Sequence, residues 1–223
     1  MGTKRGLERL IFFTDAVAAI AITLLILPLV DRVTQAFHAP DSSVTAGQFL
    51  YENIPQIFAF VLSFAIIARL WIANHEILEH VQTSTRSLMW LDVAWAFTVV
   101  VIPLPTEIVA VFPTDGATVG FYIGSMTASS LVLTGIAFYL YRHPVLESDD
   151  GRTSLERLWG SSATAGGFII ALILGLAVPH LNFYALLVLL LTFPADVLMK
   201  PRFRKRDEER RVSARRIAAK SQR

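Results

Sequence analysis

The chain has 223 residues, 54% of them hydrophobic and 17% charged, and it contains no cysteine. Soluble domains carry roughly 45–50% apolar and 25% charged residues, so this composition excludes an ordinary cytosolic globular domain and a disordered chain. The missing cysteine also excludes a thiol nucleophile, a thiolate metal site and a disulfide scaffold. The net charge of +2 is unevenly spread, because residues 200–223 hold eleven Lys and Arg against three acids.

Crossing a hydrocarbon core about 30 Å thick takes roughly 20 apolar residues at 1.5 Å rise. Six stretches qualify, about 10–30, 54–76, 88–112, 119–142, 159–179 and 181–199. The expected fold is therefore an all-α integral membrane protein, with a six-helix transmembrane domain over 1–199 and a basic tail over 200–223. Polar segments 31–53 and 143–158 separate spans, and Pro113-Thr114-Asp115-Gly116 is a turn signal. The last two spans meet in Val178-Pro179-His180-Leu181-Asn182, which predicts a tight antiparallel hairpin.

Loop Lys and Arg set the orientation. With the N-terminus inside, the cytoplasmic segments hold Lys4, Arg5, Arg9, Arg86, Arg142, Arg152, Arg157 and the eleven of the tail, 18 of 20. Arg32 alone falls outside, and Arg69 lies within the second span. Both termini are expected in the cytoplasm. Residues 10–30 do not read as a cleaved signal, since Leu27-Pro28-Leu29-Val30 offers no small-residue cleavage site. The tail is expected to serve topology and to meet anionic lipid at about 1 kcal/mol per charge, rather than to bind nucleic acid.

An ionisable residue inside a span costs at least about 2.5–3.5 kcal/mol, so each needs a partner or a task. The first span carries Thr14 and Asp15 near its cytoplasmic end, and the antiparallel second span ends Arg69-Leu70-Trp71-Ile72-Ala73-Asn74-His75. The two clusters fall at one depth, which predicts a polar network joining Thr14 and Asp15 to Arg69, Trp71, Asn74 or His75. A proton relay through Asp15 and His75 is the functional alternative. His75-Glu76-Ile77-Leu78-Glu79-His80 fails the zincin pattern, because Glu79 stands where a second His is needed. With no Gly-rich phosphate loop, no nucleophile elbow and no paired intramembrane carboxylates in view, neither an enzyme nor a metal or cofactor is expected. Gly124, Ser125, Ala128 and Ser129, then Ser161, Ser162, Thr164, Gly166 and Gly167, read as close-packing positions. Thr106 is placed to help satisfy carbonyls freed by Pro103 and Pro105. At about 100° per residue, Ile20, Leu24 and Leu27 fall within about 60° of one another, with Asp15 about 140° from Ile20. Periodicity alone makes that stripe an ordinary helix or lipid contact.

Arg9-x-x-x-Phe13-Thr14-Asp15, followed by Ala16-Val17-Ala18-Ala19-Ile20, resembles the first-helix signature Arg-x-x-x-Phe-Ser-Asp of the transmembrane-protein-175 potassium channels. Trp71, His75 and Ile102-Pro103-Leu104-Pro105-Thr106 match as well, and Thr14 in place of Ser is the one departure. The resemblance implies a homotetramer in a prokaryotic plasma membrane, with the first helix of each chain lining a central pore. It further implies passage of K+ and other monovalent cations through a constriction ringed by Ile20, Leu24 and Leu27. Thr23 would bear on cation preference, and Arg9, Phe13, Thr14, Asp15, Trp71 and His75 would hold the pore helix. The filter sequence Thr-Val-Gly-Tyr-Gly is absent, so the width and wetting of the constriction are expected to control conduction. The rival expectation is a small proton-coupled or cation transporter with Asp15, Arg69 and His75 as its relay. Such a carrier calls for inverted repeats or broken helices, and neither is visible.

Overall fold

Among the described residues each long apolar run becomes a helix, because backbone in hydrocarbon must satisfy its own N–H and C=O groups. The computed structural model describes residues 4–38, 45–113, 115–147 and 154–177. In chain order these form α1 (Lys4–Leu24), α2 (Leu27–His38), α3 (Ala46–Glu52), α4 (Ile54–Leu78), α5 (Arg86–Val101), α6 (Pro103–Val111), α7 (Gly116–Arg142), a short 3-10 turn (Pro144–Leu146) and α8 (Ser154–Ala177). Among the described residues five helical units are long and apolar enough to cross a membrane: Arg5–His38, Ile54–Leu78, Arg86–Val111, Gly116–Arg142 and Arg157–Ala177. The protein is a multi-pass membrane protein. The sixth expected span, 181–199, its hairpin turn at 178–182 and the basic tail lie outside the described residues.

The first unit runs on as α2 to His38, past the expected limit near residue 30. Val30, Val33 and Phe37 recur at helical spacing while Asp31, Arg32, Thr34 and Gln35 take other faces. Such a segment is a good amphipathic helix but too polar to read as an apolar run. Pro28 marks the joint. It has no N–H for the Leu24 carbonyl, and its ring crowds that carbonyl. The chain tightens there, with the Leu25 N–H donating to the Ile22 carbonyl at 3.3 Å and Ile26 to Thr23 at 3.4 Å. Ordinary bonding resumes when Val30 donates to the Ile26 carbonyl at 3.1 Å.

Pro103 breaks the third unit in the same manner. The Val99 carbonyl that it frees accepts from the Ile102 N–H at 3.2 Å, and the Thr106 hydroxyl donates to the Ile102 carbonyl at 2.8 Å. With its proton so committed, Thr106 accepts from Ser63 at 2.9 Å, and Ser63 accepts from Tyr122 at 2.8 Å. This buried row ties α4, α6 and α7 together. At the start of α7, Asp115 and Thr118 form a reciprocal capping box. The Thr118 N–H bonded to Asp115 holds that carboxyl below its ordinary range.

α7 sits centrally, packing most extensively on α8 and also on α5, α6 and α4. Trp95, Tyr122, Met126 and Phe168 are the large buried side chains of this core. Close packing on the α7–α8 seam is real at Gly120, where a Cβ would stand 3.4 Å from Leu176 Cδ2. The hydroxyls of Thr134 and Ser161 also meet there, at 2.9 Å. At Gly124 and Gly166 a Cβ meets nothing within 4 Å among the described residues. On the cytoplasmic side by the orientation argument, Arg157 pairs with Glu147 at 2.6 Å, and Glu147 also bridges to Val81.

Candidate pore helix and its anchors

α1 has two unlike faces. Ala18, Ala21 and Leu25 are buried, since small residues let the helix lie close against α5 and α4. On the other side Ile20, Leu24 and Leu27 remain 58%, 39% and 49% exposed. Thr23 is exposed beside them, and its hydroxyl bonds back to the Ile20 carbonyl at 2.8 Å. No partner chain is needed to explain the buried face. Among the described residues, the aliphatic one is left largely open at Ile20 and about half open at Leu27.

The N-terminal end of α1 is fixed by polar contacts to two neighbours. Trp71 Nε1 donates to Asp15 Oδ1 at 2.7 Å, and His75 Nδ1 lies 3.8 Å from the same oxygen. This is the register expected of an antiparallel pair. Arg69 donates to the Thr164 hydroxyl at 3.1 Å, which ties α4 to α8. Thr14 is fully buried and returns its proton to the Leu10 and Ile11 carbonyls. Arg9 and Phe13 are exposed on α1.

Asp92 is the residue that sequence reasoning passed over. It lies fully buried on α5, accepts from Asn74 Nδ2 at 2.9 Å and has Thr14 as its other polar neighbour. Asp15 is close enough for the two carboxyls to interact through charge. A signal was available, because Asp92 lies inside the 88–112 run and an acid within a span needs a partner. Asn74, one turn from both Trp71 and Leu78, supplies it.

The outer end is held by longer contacts. Arg32 reaches Asn53 Oδ1 at 3.5 Å and the Ala110 carbonyl at 3.4 Å. That carbonyl belongs to the last turn of α6, where helix carbonyls lack internal partners, and Gln56 Nε2 also donates to it at 3.0 Å. A narrow cavity beside this cluster is lined by Leu25, Pro28, Gln56, Phe60, Pro103 and Glu107. Among the described residues no three His, Asp or Glu side chains gather as metal ligands.

Residues 9–103 match a family model described as the endosomal/lysosomal potassium channel TMEM175. A potassium channel of Streptomyces collinus is 35% identical over 98 residues, 44% of this chain and 45% of that protein. A potassium channel of Chamaesiphon minutus is 30% identical over 123 residues, 54% of this chain and 59% of the relative. In both cases the match spans less than two thirds of the relative's length. The fold is similar to the crystal structure of a lysosomal potassium-selective channel TMEM175 homolog from Chamaesiphon minutus, with a TM-score of 0.71 at 23% identity, covering 86% of this chain and 98% of that one. The match begins at Arg9 and takes in the Phe13-Thr14-Asp15 signature, Trp71 and His75, so over residues 9–103 the chain is similar to the TMEM175-type family.

Proposed function

We propose that this protein is a potassium-preferring cation channel of a prokaryotic plasma membrane. In this reading the transmembrane domain spans residues 1–199 and crosses six times, with both termini and the 200–223 tail in the cytoplasm. The observation that carries it is the division of α1, buried through Ala18, Ala21 and Leu25 while Ile20, Leu24 and Leu27 stand exposed. One chain has too few helices to enclose a pore, so copies must close around the exposed stripe, and a symmetric ring of four is the arrangement proposed. The naming of relatives as potassium channels supports the same reading.

Conduction then depends on hydration. Four Ile20 side chains around an axis leave a narrow hydrocarbon ring that cannot replace water lost by a cation. The membrane potential supplies only about 2.3 kcal/mol per charge per 100 mV against that barrier. Width and wetting of the gap therefore set the current. Leu24 and Leu27 continue the barrier, and Thr23 is the adjoining polar group that influences cation preference. Asp15, Trp71 and His75, with Arg9, Phe13 and Thr14, serve to hold the helix.

Planar-bilayer recording with asymmetric K+ and Na+ tests this. Ile20→Asn or Ile20→Ala is expected to raise current and weaken discrimination, with smaller effects at Leu24 and Leu27 and none on selectivity at Leu25. Unchanged conductance in a well-assembled Ile20→Asn protein, together with altered selectivity in a Leu25 variant, overturns the assignment. Saturable proton-coupled uptake in liposomes would instead establish a carrier. Reporter fusions after Asp41, Asp115 and Asn182 should read outside, and those after Thr85, Asp149 and Arg223 inside.

A further inference from the structure

Followed past the kink, the exposed side of the first helical unit changes chemistry. At about 100° per residue, Leu24, Leu27, Asp31, Thr34 and His38 all fall within about 40° of Ile20. The two tightened bonds at the kink add about 20° each, which leaves the outer residues on the same side. Asp31, Thr34 and His38 are exposed. A second exposed face of α2, turned about 80–140° the other way, carries Val30, Val33 and Phe37, which are 50%, 53% and 80% exposed. A helix facing lipid all round its free surface has no use for the first of these faces. A helix lying only on a membrane surface would not carry it in line with the aliphatic stripe.

Charge is divided in the same way. Arg32 turns its guanidinium into its own chain, toward Asn53 and the Ala110 carbonyl, and Glu107 is the carboxylate beside it, with Asp31 also near enough to act on Glu107 through charge. The Thr34 hydroxyl bonds back to the Val30 carbonyl at 3.1 Å, and His38 Nδ1 lies 3.0 Å from the Thr34 carbonyl. Asp31 is left as the one formally charged side chain on the line above Leu27.

We infer that the Asp31–Thr34–His38 line forms the outer mouth of the pore, with Asp31 as a ring of carboxylates that gathers cations before the Ile20 constriction. This rests on the channel reading above and adds to it a cation site outside the aliphatic barrier. Monovalent cations would be concentrated there as hydrated ions, and a divalent cation would compete for the same ring. Rings of acidic side chains act in this way, raising local cation concentration and entry rate. The effect is confined by salt, since the screening length falls from about 10 Å at 0.1 M to about 3 Å at 1 M.

Asp31→Asn, Asp31→Glu and, as a control on α3, Glu52→Gln would be recorded as single channels from 0.1 to 1 M KCl. Asp31→Asn should cut inward unitary current about 2- to 5-fold at 0.1 M and converge on the wild type at 1 M. Asp31→Glu should retain the current, and Glu52→Gln should match the wild type throughout. External Ba2+ should block the wild type more strongly than Asp31→Asn. Because the chain has no cysteine, an external cationic thiol reagent can compare single replacements. It should block Thr34→Cys and leave Val33→Cys conducting. Wild-type current at 0.1 M in Asp31→Asn, or block of Val33→Cys but not Thr34→Cys, overturns this placement while leaving the channel reading intact. Wild-type protein that carries no current overturns both.

Discussion

The two ends of the first helical unit are held differently. At the N-terminal end, bonds of 2.7 Å from Trp71 to Asp15 and 2.9 Å from Asn74 to Asp92 surround a fully buried Thr14. At the C-terminal end, α2 has no buried residue, and Arg32 reaches its acceptors only at 3.4 and 3.5 Å. Short bonds among buried groups are strong and costly to lose, whereas long bonds of a half-exposed side chain contribute little. The unit is thus a fixed foot and a loosely held head, and Pro28 separates them.

Removing the deepest member of the foot should have the largest effect. Asp92→Ala leaves Asn74 buried without its acceptor and should cost about 2–3 kcal/mol, read as a fall in thermal stability of the detergent-solubilised protein. Asp15→Ala should cost less, about 1–2 kcal/mol, because the Asp15 side chain keeps 29% exposure and Trp71 can turn to water. The full 3–5 kcal/mol of a broken buried ion pair therefore does not apply to Asp15. A larger loss for Asp15→Ala than for Asp92→Ala would move the centre of the foot from α5 to α4. At the head, Arg32→Ala should cost about 0.5–1 kcal/mol while speeding amide exchange across α2 and leaving α1 protected. Equal loss of protection in both helices would erase the contrast. Smallest of all, the coupling between Asp15→Ala and Arg32→Ala should stay below about 0.5 kcal/mol, as for sites with no shared partner.

Much of this was legible beforehand, for reasons that differ by residue. Asp15, Trp71 and His75 could be brought together because two consecutive antiparallel spans share a register. The Ile20, Leu24 and Leu27 stripe could be phased because helical periodicity is rigid over two turns. The match to a TMEM175 family model over residues 9–103 agrees with the signature read at Arg9 to Asp15. Asp92 was missed because its partner Asn74 lies on a different span and register across three helices cannot be read from two. α2 was missed because Asp31 and Arg32 make the segment look like a loop to any hydropathy count, although its apolar residues keep helical spacing. The α7–α8 seam was only half legible. Ser161 was among the small residues read as packing positions and Gly120 was not, while Gly124 and Gly166 meet no described neighbour within 4 Å of an added Cβ.

The kink at Pro28 also has a consequence for scale. α2 has 12 residues and so forms a lever about 18 Å long beyond the break. A tilt of about 10° at that pivot swings the far tip by about 3 Å, roughly the diameter of a water molecule. Ile20 lies on the near side of the pivot. A small rotation at Pro28 is thereby amplified into displacement at His38 without being transmitted to the Ile20 side chain.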